Sequence, residues 1–571
     1  MRRSRIRLIT VLATAAAVTA GLVAGCSTTN QVPSIGYAVD AAVASYNGGS
    51  TLGASSGAAA VFGRVLTGFF YTGPDGQQVA DTDAGTAKEV PGEAQTVQYR
   101  LNPDGVYSDG VATSCDDLVL AWSARSGKYT RPGDNGPVPL FDAASTVGYA
   151  DIERVDCVPG SKDATVVFRP GRHYLPWRTL FTAAELLPAH VVAQAAGVPD
   201  VVSALQAGDG AVLGRIADFW NAGWTMKPGS LDLTNFPSSG PYRIESFGAD
   251  DGLVLVANEK WWGSPPKTSR IVVWPKGTDF AAKAKENALG VVDLGAGSVA
   301  ELDLAGFDEQ TLPSRGAEQL VLATAGVFAP VEVRRAFAQC VPRQALFDTL
   351  GKAGEPPAIG LGSGPLNAHV VQQDSLYYPA VTGAADKYRG TDIPAATATL
   401  ASAGVPQPTV RIGYQAPDER RARTVAAIAD SCRGAGISVV DAGAPDFTPV
   451  RLAEGAVDAV LGSTAGVPGP AGSSAGVTAF AALRAGSGLD VGGFANGRYD
   501  AITDQLAGED DSTVTLNLLT EAENLLWAQL PSIPLFATPR IIAFGHGMQN
   551  GIAGPTQAGT GWNMDRWVLQ R

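Results

Sequence analysis

The chain has 571 residues, 45% hydrophobic and 17% charged, which describes a folded body too long for one core, so two or three domains are expected. A formal charge of −13 argues against nucleic acid or anionic lipid surfaces as partners, because both need basic patches. Four scattered histidines and the absence of any Cys-x-x-Cys leave little for general-base or metal chemistry, and 68 glycines with 37 prolines indicate many turns in a mixed α/β protein.

The N-terminus carries Arg2, Arg3, Arg5 and Arg7, then an apolar run from Leu8 to Val23 and the sequence Ala24-Gly25-Cys26. This is a secretory signal over residues 1–25, and a cysteine directly after Ala-Gly resembles a lipobox, with Cys26 as the acylated first residue of the mature protein. A spanning anchor fits less well, since the run is alanine-rich, barely long enough and ends in Gly25-Cys26. Residues 26–35 then form a lipidated tether. Four cysteines remain, Cys115, Cys157, Cys340 and Cys432. Outside the cytoplasm an even count favours two disulfides, with three connectivities open, and sequence position favours Cys115–Cys157 and Cys340–Cys432.

Gly53-Ala54-Ser55-Ser56-Gly57 matches the hydrolase nucleophile motif, but Asn47-Gly48-Gly49-Ser50 before it makes no strand to hold a strained elbow. Ser264-Pro265-Pro266-Lys267 matches Ser-x-x-Lys, and its prolines deny it the necessary helical turn. Alternation over Thr96–Leu101 predicts a half-buried strand, followed by a turn at Pro103-Asp104-Gly105 and a helix over Leu118–Ser123, capped within Thr113–Asp117. Asp109 and Asp117 read as a turn former and a helix-start residue rather than as catalytic acids. Ala164–Phe168 is a further strand. The stretch from Phe236 to Trp274 predicts three strands, at Tyr242–Glu245, Leu253–Val256 and Ile271–Trp274, with Trp261-Trp262-Gly263 between the last two. Beyond it come a short strand at Gly290–Asp293, a helix over Pro330–Ala338 interrupted at Pro342, and βαβ spacing across Val410–Tyr414, Arg421–Cys432 and Ile437–Val440. A strand at Val457–Leu461 precedes the low-complexity stretch Gly462–Gly476.

The ordered set Tyr107-Ser108-Asp109-Gly110, Leu187-Pro188-Ala189-His190, Gly240-Pro241-Tyr242, Asn258-Glu259-Lys260-Trp261-Trp262-Gly263 and Val333-Arg334-Arg335-Ala336-Phe337 resembles the solute-binding proteins of bacterial oligopeptide and dipeptide importers. The resemblance implies a mixed α/β, two-lobed fold of the periplasmic-binding-protein type II-like class with an extra third domain. Its domain I comprises residues 36–90, 201–275 and 481–571, domain II 91–200 and domain III 276–480. It also implies a lipid-anchored, monomeric, extracytoplasmic binding protein at the cell membrane, not an enzyme, without cofactor or metal. Such a protein takes a peptide or small polar solute into an interlobe cleft and delivers it to an ABC permease. The other reading is a lipoprotein of the same fold that serves cell-envelope assembly or regulation independently of transport. Ligand contacts are expected from Asn47, Ser238, Ser239 and Gly240 on one side, and from Phe447, Ser463, Thr464 and Gly466 on the other. Peptide-binding relatives set a carboxylate against the ligand's α-amino group. The corresponding Gly462–Pro470 has none, which disfavours an ordinary peptide N-terminus and favours a neutral or anionic ligand.

Overall fold

A computed structural model describes residues 31–133, 136–299, 301–462, 480 and 482–571. The signal segment, Cys26, Ser463, Thr464 and Gly466 lie outside the described residues.

The main sheet contains, in chain order, β1 (Ile35–Val39), β2 (Tyr242–Gly248), β3 (Gly252–Ala257), β4 (Arg270–Trp274), β5 (Val291–Gly295), β6 (Phe307–Leu322), β7 (Thr409–Gly413), β8 (Ser438–Asp441), β9 (Ala459–Gly462) and β10 (Ser532–Gly545). Their spatial order is β2-β3-β4-β1-β5-β10-β6-β9-β7-β8. β1 is wholly buried and lies parallel to β4 and β5. Burial on both faces explains why β1, β4 and β5 read as continuous apolar runs. The WWG segment between β3 and β4 is a turn, fixed by the Asn258 side chain, which donates to the Gly240 carbonyl at 2.9 Å.

A four-stranded antiparallel sheet stands beside this one, ordered Gly85–Val90, Thr96–Leu101, Asp163–Phe168 and Ile152–Cys157. The helix Cys115–Arg125 packs on it. Ser114 and Asp117 form a reciprocal capping box at its start, and Asp117 also accepts from the Ala189 amide at 2.9 Å, so both roles are structural. His190 likewise pairs with Asp109 at 2.9 Å and packs against Tyr107. One continuous hydrophobic core joins this sheet to β1–β5, making the proximal lobe.

The distal lobe has its own core, built from the C-terminal half of β6, from β7 and β9, and from the helices Val331–Cys340 and Glu419–Arg433. The first helix stops before Pro342. Arg343 follows, fully buried, and donates to the carbonyls of Pro534, Tyr388 and Leu366. Burial lowers its pKa to about 10, so it stays cationic and ties three chain segments together. Cys115–Cys157 and Cys340–Cys432 are both bonded, one in each lobe. The helices Gly497–Leu506 and Ser512–Gln529 share a hydrophobic cluster with Ala368, Val370, Val371 and Val381, and Trp527 near the end of the second helix joins the distal core. β10 then carries the chain back to pair with β5.

β6 and β10 pass between the lobes. They pair from Phe307↔Gly545 to Pro313↔Pro539, lose register, and resume at Ala317↔Ala537. Two opposed prolines cannot donate to the ladder, and Ser314 Oγ instead accepts from the Gly316 amide. The result is a bulge at the junction of the lobes, the place where a twin-strand connection bends.

Candidate functional site

At that junction the two lobes enclose a cavity of about 250 Å³. The proximal side is made by the end of β1 and the residues after it, the short helix Thr51–Ser55, Lys276 after β4, Asp293 on β5, and the 556–559 loop. The distal side is made by Gln415, Arg421, Phe447 to Val450, and the end of β9. Ser314, Gly316, Thr538 and Arg540 of the crossing strands form the back. Residues 488–491 close one flank, where Ser487 Oγ donates to the Ala144 carbonyl at 2.9 Å. Gly488 has no room for a side chain there, because a Cβ would come within 2.2 Å of Thr51 Oγ1.

Charged groups meet behind and beside this cavity. On the proximal side Lys276 Nζ lies 2.7 Å from Asp40, and Arg540 lies 2.6 Å from Asp293. Asp293 also accepts from the Thr560 amide at 2.8 Å. On the distal side Glu318 receives Arg420 at 3.1 Å and Arg421 at 2.9 Å, and Arg421 also lies 3.6 Å from Asp418. Among these charged groups the contact that crosses between lobes is Lys276 Nζ to Asp418 at 3.5 Å, with side chains only 4% and 1% exposed. Burial alone would raise the Asp40 pKa, but Lys276, Arg421 and Arg540 outweigh it and hold the carboxyl well below its ordinary range. Glu318 is treated the same way by Arg420 and Arg421, which bring it to about 2 against the effect of burial. The Tyr37 hydroxyl accepts from the Gly561 amide, and burial beside Asp293 raises its pKa, so it stays neutral.

Phe447 lies on the cavity wall. Asn47, Ser238, Ser239 and Gly240 are instead committed inside the proximal lobe. The Asn47 amide donates to the Trp220 carbonyl at 3.0 Å, and Ser239 Oγ accepts from the Thr67 amide at 3.0 Å. Ser238 is fully buried beside the Tyr46 hydroxyl, and Gly240 packs against the Arg64 backbone, where a Cβ would meet Arg64 O at 2.7 Å. Ser55 and Ser56 do reach the cavity. Yet Ser55 donates to the Thr51 carbonyl at 2.8 Å, Ser56 accepts from the Ala44 amide at 3.2 Å, and no histidine lines the cavity among the described residues. Among the described residues neither serine is paired with a base that would activate it. The ionic residues escaped sequence reasoning because all their pairings but Arg421–Asp418 join positions more than a hundred apart. The available signal was an acid at the end of an otherwise apolar strand, Asp40 after β1 and Asp293 within β5.

Residues 84–479 match the family model for bacterial extracellular solute-binding proteins, family 5, middle region. The chain is 40% identical to the uncharacterized lipoprotein Rv2585c of Mycobacterium tuberculosis, over 100% of this chain and 99% of that one. Among solved structures it resembles the periplasmic EDTA-binding protein EppA, with a TM-score of 0.72 at 20% identity, covering 95% of this chain and 97% of the other. It also resembles the oligopeptide-binding protein of Thermus thermophilus complexed with a pentapeptide, with a TM-score of 0.70 at 14% identity, covering 94% and 96%. Both similarities describe a type II periplasmic-binding-protein architecture, in keeping with two lobes joined by crossing strands. No helix among the described residues is long and apolar enough to cross a membrane. The chain belongs to family 5 of the bacterial extracellular solute-binding proteins.

Proposed function

We propose that this protein is a lipid-anchored receptor that captures a solute between its lobes and presents it to an ABC-type permease. The observation that carries this reading is the cavity at the strand crossover, walled by both lobes and bridged by Lys276 and Asp418. A cavity placed there is formed by closure, so whatever binds it favours the closed arrangement by its differential affinity. Lipid attachment at Cys26 would hold the receptor at the membrane, since acyl chains anchor by burying CH₂ groups. Relatives named as lipoproteins support that anchoring, and a structural neighbour that holds a pentapeptide supports capture of an extended polar solute.

Native mass spectrometry of gently purified protein tests the reading. A receptor shows a discrete non-covalent mass that leaves on activation, and deleting its gene lowers uptake of that compound. A protein that never carries a bound mass, whose loss changes envelope assembly but no uptake, would be the transport-independent lipoprotein instead.

A further inference from the structure

The polar side chains that line the cavity fall into two groups. The charged ones are already matched. Asp40, Asp293, Lys276 and Arg540 balance one another on the proximal wall, and on the distal wall Arg421 is paired with Glu318 and Asp418, which lie behind the lining together with Arg420. Four cations thus face four carboxylates, and the network has no net charge to offer. A ligand ammonium could reach Asp40 or Asp293 only by displacing Lys276 or Arg540, leaving a buried cation unpaired. A ligand anion would meet guanidinium groups already neutralised, out of bulk water, and its own charge would go uncompensated.

Among the described residues, the polar ones on the wall whose side chains have no partner at all are neutral. Thr556 Oγ1 is buried without a hydrogen-bond partner on the proximal wall, and the Gln557 amide beside it makes no side-chain bond. Across the cavity the Gln415 amide and the Thr448 hydroxyl are likewise free among the described residues. Amides and hydroxyls both donate and accept, so they complement hydroxyl or amide groups of a ligand. Between these polar ends run Leu52, Val450, Leu489, Val491 and Phe447, an apolar wall suited to hydrocarbon.

We propose that the ligand carries no ammonium, carboxylate or phosphate in this cavity: it is an uncharged molecule of hydroxyl or amide groups joined to a hydrocarbon portion. Gln415 and Thr448 on one lobe, with Thr556 and Gln557 on the other, set its specificity. The proposal rests on the receptor reading above and names the substrate class for that same cleft.

The test recovers the compound carried by the full mature chain purified from its own cells, identifies its ionisable groups by mass spectrometry and electrophoretic mobility, and measures rebinding by calorimetry. An N-acetylated, C-amidated tripeptide, its free-ended counterpart and an alkyl glucoside serve as added probes. The expected compound is uncharged from pH 4 to 9 and binds equally in low and high salt. Gln557→Ala and Gln415→Ala should each weaken it about 2- to 10-fold, the loss of one neutral hydrogen bond, with thermal melts unchanged. A recovered compound with an ammonium, carboxylate or phosphate, or preference for the free-ended tripeptide, would overturn the neutral-ligand assignment while leaving the receptor reading intact. Equal affinity in the folded Gln557→Ala and Gln415→Ala variants would overturn the residue assignment. If no compound is recovered and no probe binds, the receptor reading falls and this inference with it.

Discussion

Replacing Lys276 with methionine removes the ammonium that reaches from the proximal lobe to Asp418 while keeping the length and apolar volume of the stem. In the closed arrangement that change leaves Asp40 with the Gly295 amide at 3.1 Å and Ser298, and leaves Asp418, 1% exposed, with Arg421 at 3.6 Å. Removing one partner of a buried ion pair costs roughly 3–5 kcal/mol. Because Asp418 keeps Arg421, the lower end applies. With the lobes apart both carboxylates are hydrated, so the cost falls on closure rather than on folding. About 3 kcal/mol corresponds to a shift of 100-fold or more in the closed-to-open ratio. Fluorescence transfer between dyes at exposed Asp218 on the proximal lobe and Glu454 on the distal lobe reads this directly. Lys276→Met should lower the closed fraction and weaken ligand binding by a comparable factor, whereas Lys276→Arg, which keeps the charge, should restore most of both. An unchanged closed fraction in a folded Lys276→Met protein would refute the claim that this contact biases closure.

Other parts of the structure give independent tests. Gly297, just after β5, abuts the start of the distal helix Glu419–Arg433, and a Cβ there would come within 2.1 Å of Asp418 Oδ1. Gly297→Ala should therefore hinder closure and lower affinity without lowering the melting temperature, as scattering and calorimetry would show. Burial raises the Asp490 pKa to about 7, so the folded state holds a proton that the unfolded chain releases near 3.8. Stability from this group is gained as pH falls from 7 towards 4 and lost above 7. Asp490→Asn should accordingly raise the melting temperature at pH 8 and leave it nearly unchanged at pH 4. The Cys340–Cys432 bridge joins residues 92 apart in two packed helices. Converting both to serine should cost roughly 3–5 kcal/mol in the chain-entropy model, seen as a lower denaturation midpoint.

Much of the scaffold was legible because it is local. The three strands of Phe236–Trp274 came from alternation broken by a Gly-Pro turn and by Pro265-Pro266, and they appear as β2, β3 and β4. The helix assigned to Arg421–Cys432 runs from Glu419 to Arg433, started by Asp418, whose side chain accepts from the Arg421 amide. That cap hides a second role, because the same carboxylate meets Lys276 from the other lobe, and no local pattern encodes a contact 142 positions away. Asn47 and Ser239 show the opposite case. Small polar residues at a lobe junction look like ligand contacts, yet here they satisfy backbone groups that burial would otherwise leave unpaired. Polar chemistry in a chain like this is assigned by three-dimensional pairing, which spacing alone does not carry.

Small-angle scattering of the mature protein, measured first with its bound compound, then after stripping, then after adding that compound back, tests the central claim most directly. A receptor hinged at the bulge of β6 and β10 should expand when stripped and contract again on re-addition, with each lobe's own dimensions unchanged. A radius of gyration that stays constant through all three states would contradict it.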